Sequence, residues 1–132
     1  MRLLMLTLAM GVAACAETPK DTAARAAAED KTRAALDREL AGLVPGAPQS
    51  CLNPFDRRDM KTFGETLVFR SGATRYVTRT TGCQGVGGDN ILVTRTPTGQ
   101  LCRGDIATTV DRTSGFQNGG CSFGDFVPYR RR

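Results

Sequence analysis

Residues 65–80 read ETLVFRSGATRYVTRT. Two runs rich in β-branched and aromatic residues flank Ser71-Gly72-Ala73-Thr74, where Gly72 lets the backbone reverse, so the stretch predicts a β-hairpin. The two-residue period of a strand puts Arg75, Val77 and Arg79 on one face and Tyr76 and Thr78 on the other. The face with two arginines is expected to meet solvent, which leaves Leu67, Phe69 and Tyr76 for a core. Further along, NILVTRT (90–96), the turn PTGQ (97–100) and LCRGDIATTV (101–110) predict a second hairpin. The short pieces SCLN (50–53) and CSFGDFV (121–127) predict outer strands, and Leu92, Ile106, Val110 and Phe126 complete the expected core.

Between these strands lie TGCQGVGGDN (81–90) and SGFQNGGC (114–121), loops too rich in glycine to hold a shape unaided. Cysteines in both meet that need. A chain of 132 residues buries only about two-thirds of its unfolded surface, so covalent staples matter to it. Cys51, Cys83, Cys102 and Cys121 permit three pairings. Cys51 and Cys102 each adjoin a leucine in a strand-like segment, whereas Cys83 and Cys121 sit among glycines, and like surroundings favour Cys51 with Cys102 and Cys83 with Cys121. The expected fold is mainly β: a small disulfide-stapled antiparallel sheet or partly closed barrel over residues 47–132, preceded by an N-terminal α-helix. With no histidine and no Cys-x-x-Cys, a zinc site is not expected, nor any other metal or cofactor.

The fifth cysteine, Cys15, stands apart. Arg2 and the apolar run 3–14 form a signal peptide, since the run falls short of the roughly 17 residues that span a bilayer. Val12-Ala13-Ala14-Cys15 resembles the lipobox of bacterial lipoproteins. That resemblance implies a cut before Cys15, a diacylglycerol on its thiol and a membrane partner reached through the lipid. Ala16, where an Asp would hold such a protein at the inner membrane, implies the outer membrane, facing the periplasm. A rival reading is an ordinary secretory cut after Ala16, which would discard Cys15. Either way four cysteines stay behind in an exported domain.

Residues 15–46 then read as the anchor site and a helical tether. Thr18 suits an N-cap and Pro19 the first helical position. Leu40-Ala41-Gly42 suits the helix end. The body between is alanine-rich, with opposite charges four apart at Asp21/Arg25 and Glu29/Arg33. Leu36, Leu40 and Leu43 share one face, so only the last turns are expected to dock, and the first half is expected to be a solvated spacer.

Residues 15–46 carry 5 basic and 6 acidic side chains against 12 and 7 in residues 47–132, so the basic excess lies in the β domain. Arginine supplies most of it, and its planar fork suits phosphate and carboxylate groups. Arg70, Arg75, Arg79 and Arg95 are the candidate contacts to an anionic polymer or an envelope protein. No nucleic-acid motif is present and a monomer is expected. The absence of histidine removes Ser-His and Cys-His nucleophile pairs, so the chain is not expected to be an enzyme. The alternative is a small-ligand binder or minor enzyme using Asp89, Asp105, Asp111 and Asp125. Arg103-Gly104-Asp105 matches an adhesion tripeptide by chance, and Arg130-Arg131-Arg132 reads as a solvated tail.

SCLN, TRYVTRTTGCQG, QLCRGD and GGCSFGDFVPY together resemble an uncharacterised family of small exported bacterial proteins, which commonly carries Asn where this chain has Thr78. The resemblance implies an exported, disulfide-bonded domain and carries no activity or functional residue with it.

Overall fold

A computed structural model describes residues 18–83 and 85–132. Cys15 and the leader before it lie outside the described residues. Helix α1 (Pro19–Glu39) begins where the caps place it: the Thr18 hydroxyl accepts the Asp21 N–H at 3.3 Å and Pro19 fills the first turn. It ends at Leu40, and Gly42 at φ 72° turns the chain away through the left-handed region. Residues 19–31 are exposed along their whole length, while Leu36, Leu40 and Leu43 are half-buried. The solvated first half and docked last turns follow from where the large apolar residues lie.

The regular structure in the rest of the described chain is strand, apart from one 3-10 turn. In order come β1 (Val44–Pro45), β2 (Cys51–Leu52), a 3-10 turn at Pro54–Arg57, β3 (Asp59–Phe63), β4 (Thr66–Ser71) and β5 (Thr74–Thr81). After these come β6 (Asn90–Thr94), β7 (Leu101–Cys102), β8 (Ile106–Asp111) and β9 (Gln117–Arg130). The main sheet runs β3-β4-β5-β9-β8-β6 with β1 laid along one end of β9, and it is antiparallel throughout. It curls into a half-barrel, and β2 and β7 form a separate two-stranded sheet.

The hairpin of residues 65–80 is β4 and β5, with Phe69 opposite Tyr76 and Leu67 opposite Thr78, all four facing inward. Cys51 is bonded to Cys102 and Cys83 to Cys121, with Cα atoms 4.0 Å and 4.9 Å apart. The first bond joins partners directly opposite one another in β2 and β7. The second ties the glycine-rich loop after β5 into β9.

Four expectations need correction. β9 is no outer strand: it is the longest in the fold and lies between β5 and β8. Glycines make that position possible, since a Cβ at Gly124 would lie 2.9 Å from the Arg79 carbonyl oxygen, where β5 and β9 cross a bulge. LCRGDIATTV is two strands, because the chain turns at residues 103–105 and passes from the small sheet to the large one. The sheet begins before residue 47, since Val44 and Pro45 already pair with Arg130 and Tyr129. Finally, β8 presents the opposite phase: Ala107 and Thr109 face inward, Ile106 is 62% exposed and Val110 is half-buried on the outer side. Ala107 stands opposite Cys121, so the Cys83–Cys121 bridge fills the space that a larger inward residue would need.

The core is Leu52, Leu67, Phe69, Tyr76, Leu101, Phe123 and Phe126, closed off by the buried sulfurs of Cys83 and Cys121. Phe126 lies at its centre, with ring centroids 6.1 Å from Phe69 and 6.3 Å from Phe123. Leu92 packs at the margin. Two buried threonines bond to backbone carbonyls: Thr78 donates to that of Gly124 at 3.2 Å and Thr80 to that of Glu65 at 2.7 Å. In urea unfolding, Phe126→Ala is expected to cost about 3–5 kcal/mol, because Phe126 is wholly enclosed. Ile106→Thr keeps a β-branched residue on the outer face and is expected to cost no more than about 0.5 kcal/mol. Equal losses would mean that the phase of β8 is the other one.

Candidate functional site

The four candidate arginines are divided by the fold. Arg70 and Arg75 are direct partners across the β4–β5 hairpin on its outer face, a placement that sets two like charges side by side. Glu39, the last residue of α1, lies over them. Its Oε1 accepts Arg70 Nε at 2.8 Å and Arg75 Nε at 3.1 Å, its Oε2 accepts Arg70 Nη2 at 2.5 Å, and Lys61 Nζ on β3 stands 3.5 Å away. The Glu39 side chain is 9% exposed. The outer face of this hairpin is therefore covered where α1 docks, and Val68 on the same face is fully buried.

The hydrogen bonds from Arg70 hold the Glu39 carboxyl at about 2 against an ordinary value of 4.5, with Arg75 and Lys61 adding to the effect and burial opposing it. Nothing local in the sequence marks this contact, because Glu39 is 31 and 36 residues from its two arginines. One signal was available: an acid in the last turn opposes the helix dipole, so a helix that keeps one there has a cation to meet it.

Arg95 follows β6, and β8 and β9 separate that strand from β5, so Arg95 does not join the others. Arg79 takes a different course. It lies opposite Thr66 at the far end of the hairpin and lines an open cleft of about 990 Å³ between α1 and the β3–β4 turn. Arg25, Glu29 and Arg33 line the helix side of this cleft, and Phe63 and Glu65 the other. Arg33 and Arg79 are exposed, and neither has a side-chain partner among the described residues. Glu29 and Arg33, one helical turn apart, form no ion pair, and both line the cleft. Arg79 was read from the sequence as an exposed cation. Arg33 was read only as half of a helical charge pair.

The aspartates do not converge. Asp105 accepts the Cys102 N–H at 2.8 Å within its own turn, and Asp125 pairs with Arg103 at 3.2 Å. Asp111 accepts from the Thr113 and Ser114 N–H groups and the Ser114 hydroxyl, which hold its carboxyl below the ordinary range. Asp89 stands exposed before β6. Both charged ends of Arg103-Gly104-Asp105 are thus engaged within the fold. Among the described residues no three acids or cysteines come close enough to hold a metal ion. No described helix is long and apolar enough to cross a membrane.

Glu39 dictates a pH dependence. Its folded value lies below its unfolded one, so its stabilising effect is whole above pH 4.5 and is lost as pH falls from there towards 2. Glu39→Gln is expected to cost on the order of 2 kcal/mol at pH 7, since it leaves Arg70 and Arg75 facing each other without a counter-charge. In urea titrations from pH 7 to pH 2 the gap in stability between wild type and variant should hold down to about pH 4.5 and close through that window, whatever the other carboxylates, Asp111 among them, contribute to both.

Compared with known proteins, the chain matches no family model, no curated protein and no solved structure.

Proposed function

We propose that the protein is a lipid-anchored, non-catalytic interaction module of the bacterial cell envelope. Acyl chains on Cys15 hold it to the outer membrane on the periplasmic side, and the α1–hairpin cleft binds an anionic envelope polymer. The two disulfides support an oxidising, extracellular or periplasmic setting. The four residues up to Cys15 support the anchor through their likeness to a lipobox. The observation that carries the binding reading is the pair Arg33 and Arg79, two exposed guanidinium groups that form no ion pair among the described residues and line one cleft from the helix and from the sheet, beside Glu29 and Glu65. Planar forks on both sides of an open channel suit the repeating phosphates or carboxylates of a polymer. The scatter of the four aspartates, each held in its own turn, paired with Arg103 or exposed, weighs against the alternative of an aspartate-based enzyme or small-ligand binder.

Two measurements test this. The intact mass of the mature protein should begin at Cys15 and include lipid, and Cys15→Ser should release the protein from membranes. A lipid-free product starting beyond Ala16 would overturn the anchor. For the cleft, binding of the delipidated protein to anionic envelope polymer should weaken as salt rises past about 0.15 M. Arg33→Ser with Arg79→Ser should abolish it without lowering the melting temperature, whereas Arg70→Ser should lower the melting temperature through Glu39. Polymer binding unchanged by the double substitution would leave these arginines as solvated surface.

A further inference from the structure

The half-barrel is open between its two end strands. Its end strands, β3 and β6, pair with β4 and β8 and not with each other. Part of the gap is filled by the loop after β5: Val86 bridges to Asn90 in parallel, and the Gly87 N–H donates to the Asn90 carbonyl at 3.4 Å. Gly87 also lies against Thr62 of β3, so closely that a Cβ there would collide with the Thr62 hydroxyl. At this end a single stretch of backbone therefore reaches from one edge of the sheet to the other, occupying the place of a missing strand.

Beyond Asn90 the filling stops while β6 goes on. The Asp89 carbonyl accepts the Arg112 N–H at 2.8 Å, on the β8 side. Peptide groups alternate along an antiparallel strand, so those of Ile91 and Val93 also face β8, and those of Asn90, Leu92 and Thr94 face the gap. Asn90 is met by Gly87. Leu92 and Thr94 present their N–H and C=O groups to the gap with no partner among the described residues. Beneath them opens a slot of about 240 Å³ whose lining includes Met60, Phe69, Leu92, Leu101 and Phe123, with Arg57 as its one charged residue. Arg57 is half-buried and, among the described residues, its side chain makes no hydrogen bond or ion pair. The slot is smaller than the roughly 300–1,000 Å³ of ordinary small-molecule sites and suits one large apolar side chain.

We propose that this gap is a docking site for the C-terminal end of an extended peptide. The peptide backbone adds to β6 at Leu92 and Thr94, its last apolar side chain enters the slot, and its terminal carboxylate meets Arg57. Each part of the ligand answers one unmet group: strand-edge amides call for backbone, apolar walls for an apolar side chain, and a lone guanidinium for a carboxylate. A fatty acid would satisfy the slot and Arg57 but would leave the peptide groups of Leu92 and Thr94 unpaired. The site is separate from the Arg33–Arg79 cleft and stands whether or not that cleft binds a polymer.

The test uses the mature disulfide-bonded protein and three probes: a degenerate pentapeptide mixture ending in leucine or phenylalanine as the free acid, the same mixture as the C-terminal amide, and decanoate. Amide hydrogen exchange followed by NMR reads the site directly. The free acid is expected to slow exchange at Leu92 and Thr94, the amide form to bind about tenfold more weakly, and Arg57→Gln to remove that difference while leaving the melting temperature unchanged. Absence of protection at millimolar free acid would overturn the proposal. Equal binding of acid and amide, or occupation by decanoate in preference to peptide, would overturn it as well.

Discussion

The backbone pairing of β9 is the constraint on which the fold depends. β3, β4 and β5 form one meander and β6 with β8 another, and in the main sheet it is β9 that joins them. A strand of 14 residues cannot serve both sides and stay flat, because a twisted sheet of this length curls. The curl occurs where side chains are missing: Gly119 and Gly120 face β8 beside the Thr109/Val110 bulge, and Gly124 faces β5 beside the Thr78/Thr80 bulge. Phe123 and Phe126 on either side of Gly124 then fill the inside of the bend. The curl brings β3 and β6 near each other without letting them pair, so the slot between them follows from the length of β9.

Electrostatics governs the outer face as packing governs the inner one. Arg70 opposite Arg75 would repel in an isolated hairpin, and one nearly buried carboxylate turns that repulsion into a shared attraction. The same contact fixes the end of α1, whose residues 19–31 are exposed. Position along the helix thus sets how each cation behaves. Arginines beneath the last turn share Glu39 within the chain, and Arg79, at the far end of the hairpin, has no side-chain partner among the described residues.

Legibility divided along the same line between local and distant causes. The β4–β5 hairpin could be read because alternation and Gly72 act within ten residues, and α1 because Thr18, Pro19 and Gly42 mark its ends. The cysteine pairing followed from like surroundings. The role of β9 was hidden because Gly119, Gly120 and Gly124 look like turn residues until a neighbouring backbone is known to need their space. The phase of β8 was hidden because Ile106 and Val110 are larger than Ala107 and Thr109, and only the disulfide opposite Ala107 reverses the usual preference. In the candidate site, Arg79 was evident as an outward residue of a strand. Glu39 and Arg33 reach the sheet through the docking of a helix, which no spacing within the sequence announces.

The two disulfides interleave along the chain, 51 with 102 and 83 with 121. Every peptide bond between Cys51 and Cys121 is enclosed by at least one of them. A protease that cuts any exposed loop in that span leaves a nicked protein whose pieces stay covalently joined until the bridges are reduced. Helix α1 lies outside both covalent loops, and its residues 19–31 are exposed. One cut there would separate the half-barrel from everything before the cut while leaving both bridges in place.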